Sequence, residues 1–151
     1  MSISTWYPTI TTVHQYLSWA FLLAILFLLY RNYSGWIMKR RWTSTDTTAG
    51  TLLTLVADLQ LGVGILLYAA LSPVTRQAFT DFGAAMSTPA IRFYAVEHIA
   101  VMVIAIIMIH TGRSISRNAQ FNARKHRVSA VWTTLALALV LTRIPWDRIF
   151  S

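Results

Sequence analysis

Four histidines (His14, His98, His110 and His126) and two acids (Asp58 and Glu97) lie within or at the border of strongly apolar stretches. The segment RFYAVEHIAVMVIAIIMIHTGR, Arg92 to Arg113, holds three of these six groups between its arginines. Ionisable side chains in such segments are expensive in hydrocarbon and mark candidate functional sites. Neutral imidazole ligates transition metals and haem iron, and a carboxylate nearby can take up protons or bind a quinone hydroxyl. Cysteine is absent. That excludes disulfides, thiolate metal sites, iron–sulfur clusters and c-type haem attachment.

Hydropathy defines the elements that must position these groups. Of 151 residues, 56% are hydrophobic and 12% charged, about half the charged share of a soluble domain. Four apolar stretches, roughly 10–31, 49–72, 91–112 and 127–146, are long enough to cross about 30 Å of hydrocarbon at 1.5 Å per residue. Short connections make successive helices antiparallel neighbours. The expected fold is therefore all-α: an integral-membrane, up-down four-helix bundle, one domain over residues 1–151. The stretch 73–90 is the longest connection and is expected to cover the outer mouth of the bundle. The N-terminal stretch has neither a basic n-region nor a small-residue cleavage site, so no signal peptide is expected there.

The net charge of +8 does not point to nucleic acid, because the basic residues sit in short connections. Nine of the 13 flank the first and third connections: Arg31, Lys39, Arg40, Arg41, Arg113, Arg117, Arg124, Lys125 and Arg127. The positive-inside rule then places those connections in the cytoplasm and both termini outside, in a bacterial cytoplasmic membrane. Aromatic belts agree, with Trp6, Tyr7, Tyr68, Tyr94 and Trp146 at one level and Tyr30, Tyr33, Trp36 and Trp42 at the other.

Depth pairs the histidines. His14 lies roughly 6 Å, and His98 roughly 10 Å, inside the outer ends of their helices, so the two can face each other across the bundle and hold a flat metal-centred ligand. His110 lies about 18 Å further down and roughly 120° around the same helix, at the level of His126. A second pair, His110 with His126, is possible there. Haem b suits such ligands, since it is apolar except for its propionates. Arg76, Arg92 and Arg143 are available to outer propionates, and Arg113, Arg117, Arg124 and Lys125 to inner ones. Glu97 can pair with Arg92 or Arg143, and Asp58 with His110, Thr133 or a quinone. Gly62 and Gly64 would let a macrocycle approach the backbone, or would serve ordinary helix packing. Met102 and Met108 read as packing residues.

The order of these features resembles a family. His14 in the first span, RFYAVEH opening the third, HTGR closing it, KHR before the fourth and IPW at its end look like the small bacterial four-span b-type cytochromes, cytochrome b561-like. The resemblance implies a haem-binding bundle that passes electrons to or from quinone. It implies His14 and His98 as axial ligands of an outer haem and His110 and His126 as candidates for an inner one. The 12-residue spacing between His98 and His110 departs from respiratory cytochromes b, where two ligands on one helix share nearly one face. Two other readings of the residues remain open: a small proton or metal transporter lined by His14, Asp58, Glu97 and His98, and a non-catalytic subunit of a larger membrane complex.

Overall fold

The computed structural model describes residues 3–149; residues 1, 2, 150 and 151 of the expected single domain lie outside the described residues. Among those described, the chain is all-helical, with no strand. Four long helices carry the architecture: α1 (Ile3–Ile37), α2 (Ser44–Leu66, extended by a π-helical turn Leu67–Leu71), α6 (His98–Asn118, preceded by a π-helical turn Phe93–Glu97) and α7 (Asn122–Thr142). Three short helices, α3 (Pro73–Thr80), α4 (Phe82–Ser87) and α5 (Pro89–Arg92), fill the stretch expected as a connection, and α8 (Trp146–Ile149) follows α7.

The helix ends have local causes. Lys39 sits in the left-handed region at φ 51° and closes α1, with the Arg40 N–H bonded to the Gly35 carbonyl at 2.9 Å. This is the geometry that ends many helices, here without glycine. At the start of α2 the Asp46 carboxylate accepts from the Thr43 N–H at 2.8 Å and from its hydroxyl at 2.7 Å, satisfying a donor that the helix leaves open. Pro73 and Pro89 occupy first-turn positions of α3 and α5, where a missing N–H is harmless. That chemistry makes short helices of 73–90.

Each long helix packs on two others: α1 on α2 and α7, α6 on α7 and α2. The ring is closed, with α1 diagonal to α6. The two tight connections meet at one end, where the Trp42 N–H donates to Asn122 Oδ1 at 3.2 Å. The α3–α5 segment lies at the other end, so the topology is up-down. Small residues line the interior: Ala57, Ala105 and Ala136 are fully buried beside Ile25 and Leu53. Small side chains let helices approach closely where apolar burial gives no drive for association.

The outside is apolar. Leu23 is 67% exposed and Ile107 59%, with Leu26, Phe27, Leu52, Leu55, Leu59, Ile104 and Leu135 around them. A belt of this extent matches hydrocarbon and not water. Three helical stretches are long and apolar enough to cross a membrane: Thr5–Ile37, Ser44–Leu71 and Pro89–Asn118. The helix expected as a fourth span starts earlier than expected and takes Arg124, Lys125 and Arg127 into its first turns. Its apolar part, Val128 to Thr142, is shorter than the about 20 residues a perpendicular span needs.

Gly112 faces Trp132 so closely that a Cβ there would collide with the tryptophan Cβ. Gly112→Ala should therefore push α6 from α7 and cost about 1–3 kcal/mol, read as a lowered melting temperature in detergent; an unchanged melt would contradict this packing.

Candidate functional site

His14 on α1 and His98 on α6 meet across the diagonal. Their ring centres are 6.4 Å apart and their planes cross at 73°. Both line a cavity of about 190 Å3 at the end capped by α3–α5. Leu22, Leu61, Met102 and Ile106 form its apolar floor, and Ser72 and Thr75 close its top. The 73–90 stretch thus covers the mouth, as expected, but as folded helix.

His98 has a fixed tautomer. Its Nδ1 lies 2.7 Å from the Arg143 carbonyl. A carbonyl only accepts, so Nδ1 carries the proton and Nε2 keeps its lone pair. Phe93 and Tyr94, from the π-helical turn before it, flank the ring at 5.9 and 6.4 Å between centres. That turn is itself held: the Tyr68 hydroxyl donates to the Ala95 carbonyl at 2.9 Å, and the Thr75 hydroxyl to the Tyr68 carbonyl at 2.7 Å. Widened turns of this kind recur at functional sites.

Glu97 acts at one remove. Its two carboxylate oxygens meet Arg92 Nε at 2.9 Å and Arg143 Nε at 3.4 Å. It thereby ties the start of α6 to the residue whose carbonyl orients His98. Two of the three arginines expected at outer propionates, Arg92 and Arg143, are engaged by this one acid. Arg76 donates to the Ala70 carbonyl.

Gln60 was not among the residues singled out from the sequence, because an uncharged amide in an apolar span gives no charge signal. Its Nε2 donates to Ser18 Oγ at 2.7 Å and lies 3.3 Å from His14 Nε2, while the Ser18 hydroxyl donates to the His14 carbonyl at 2.9 Å. His14 Nδ1 and Gln60 Oε1 are buried without a partner. Buried polar atoms left in this way are costly and call for a ligand or water. Gly64 stands beside the His14 ring, where a Cβ would lie 3.2 Å from Cε1, whereas Gly62 faces open space. The clearance expected of both glycines exists at Gly64 alone, and it serves the imidazole.

The structure does not bring His110 and His126 together. His110 Nε2 lies 2.8 Å from Asp58 Oδ1, on the lipid-facing side of the α2–α6 seam. His126 is fully buried against Trp42, with ring centres 4.9 Å apart, and its Nδ1 lies 3.4 Å from Asn32 Oδ1. It stands in the basic run ARKHR, a composition ordinarily found on a solvated face, yet it is enclosed. Gly35 explains the difference: a Cβ there would collide with the imidazole, so the glycine makes the space that the ring fills. Thr133, a possible partner for Asp58, is buried elsewhere. Arg113 is also committed, donating to the Gly50 carbonyl at 2.6 Å and to the Thr54 and Thr51 hydroxyls.

Close by, Asp46 is fully buried and accepts from Arg31 at 2.8 Å and Arg40 at 3.3 Å. Asp46→Asn would leave those cations short of a counter-charge and should cost about 3 kcal/mol, visible as a lowered melting temperature; a neutral effect would argue against a buried ionic hub.

Selective 15N labelling of imidazoles checks the His98 assignment. One buried histidine should show a protonated Nδ1 and a bare Nε2, and Arg143→Pro, which shifts the backbone carbonyl, should disturb that signal alone. A protonated Nε2 would refute the orientation. No family model, curated protein or solved structure matches the chain, so the site is read from its own geometry.

Proposed function

We propose that the chain is a four-span protein of the bacterial cytoplasmic membrane, both termini outside, that passes electrons through a b-type haem held by His14 and His98 and exchanges them with quinone. One observation carries this reading: imidazoles from diagonal helices stand 6.4 Å apart on the wall of one cavity. That spacing would leave room for one metal ion between the two imidazoles, which would hold it.

The donor set supports it further. His98 Nε2 is left free by the Arg143 carbonyl; the Gln60 amide nitrogen faces His14 Nε2, and turning that amide aside frees the His14 lone pair. Two axial imidazoles need no third ligand. Among the described residues no three of His, Cys, Asp or Glu come together, which weighs against a site for a bare transported cation. The lining is mostly apolar, as a porphyrin requires. At about 190 Å3 the cavity is smaller than the roughly 300–1,000 Å3 of ligand pockets, so the flexible Leu22, Leu61 and Met102 must turn aside to admit a macrocycle. Bound haem supplies the one-electron chemistry, and the chain's own residues ligate it, exclude water and tune its potential. With His110 and His126 engaged elsewhere, the reading is of a single haem. Glu97, beside His98 in the chain and held by Arg92 and Arg143, is the acid we assign to proton exchange with a quinone; Asp58 lines the α2–α6 groove instead.

A pyridine haemochrome assay on protein purified from haem-supplied cells tests this. One haem per chain is expected, with the Soret band lost in both His14→Ala and His98→Ala and kept in His110→Ala. A colourless wild-type preparation sinks the reading.

A further inference from the structure

The four seams of the bundle are not equally closed. Along the loop-side half of α2 and α6 a groove of about 540 Å3 opens to the outside, and of its lining residues only Leu55 is apolar. His110, Arg113, Ser114 and Arg117 follow one another along one face of α6, a turn apart. At the deep end Asp58 and His110 pair at 2.8 Å while 54% and 47% exposed. That exposure would be costly on bare hydrocarbon.

The groove carries surplus positive charge. Asp58 brings one negative charge against the two guanidinium groups of Arg113 and Arg117, so the surplus does not depend on His110. The Arg113 guanidinium donates only to a carbonyl and two hydroxyls, which leave its charge uncompensated. Arg117 is exposed and makes no hydrogen bond or ion pair among the described residues. A basic groove between helices near the membrane border selects anionic head groups. Beyond the polar stretch the same seam continues over exposed Leu59 of α2 and Ile107 of α6, a surface for acyl chains and not for a soluble anion.

The geometry points to an anionic phospholipid seated in the α2–α6 groove, its phosphodiester between Arg113 and Arg117 and its chains along Leu59 and Ile107. A guanidinium fork suits phosphate oxygens. The site is separate from the His14–His98 cavity and needs no haem.

The test uses delipidated full-length protein in detergent micelles, with retained lipid counted by native mass spectrometry. Phosphatidylglycerol should be held about fivefold more tightly than phosphatidylcholine, the ratio one cationic side chain confers near a charged bilayer surface. Arg117→Gln should remove that preference and Arg117→Lys should keep most of it, which separates lost charge from lost fold. Arg124→Gln, in the same basic stretch but off the groove, should change nothing. Equal retention of the two lipids, or equal losses in the Arg117→Gln and Arg124→Gln variants, overturns the proposal. Displacement of phosphatidylglycerol by inorganic phosphate that itself stays bound also overturns it, assigning the groove to a soluble anion.

Discussion

In hydrocarbon, helices gain nothing by hiding apolar side chains from their surroundings, so close approach and internal polar satisfaction must hold the bundle together. Both are visible here. Buried alanines, with Gly35 and Gly112, let the helices approach, while many large apolar side chains such as Leu23 and Ile107 point outward. Polar stitches gather at the two ends: Asp46 with Arg31 and Arg40 at one, Glu97 with Arg92 and Arg143 at the other. The His14–His98 cavity lies at the capped end, where histidine, glutamine and tyrosine share the lining with apolar side chains.

The long apolar helices were legible because runs of Leu, Ile, Val and Ala leave few alternatives, though only three of the four expected spans are long and apolar enough to cross a membrane; the meeting of His14 and His98 was legible because helical rise turns sequence position into depth. The rest was hidden for specific reasons. The Ser72–Pro73 and Thr88–Pro89 steps are helix-start signals, yet they sit in a stretch too polar to read as part of the bundle. Asp46 was not among the residues singled out from the sequence, although the T-x-x-D pattern from Thr43 is a helix-start signal. Its burial follows from contacts with α1 that only the folded chain supplies. Gln60 carries no charge and left no mark in a charge-based scan of the spans. His126 depended on Gly35, 91 positions away, a relation no local window contains.

Glu97 shows how a residue can matter to a ring it does not touch. Its neighbour His98 is oriented by the Arg143 backbone, while Glu97 holds the Arg143 side chain. Chemistry at the imidazole is thus coupled to the relative placement of α6 and α7. This is the arrangement by which outer-shell groups govern first ligands, although the partner here is main chain and not carboxylate.

The wide turn at Phe93–Glu97 has one more consequence. A π-helical turn accommodates an extra residue without breaking the helix, so the positions before it are rotated relative to an uninterrupted α-helix by about 100° per residue. Phe93, five residues before His98, stands against the imidazole because of that wide turn, whereas Tyr94, four residues before it, would face the ring in an ordinary α-helix as well. An uninterrupted α-helix of the same length would turn Phe93 about 140° away from the face of His98 and leave one side of the ring uncovered. Here the pitch of one turn, and not only the composition of the segment, writes the shape of the cavity.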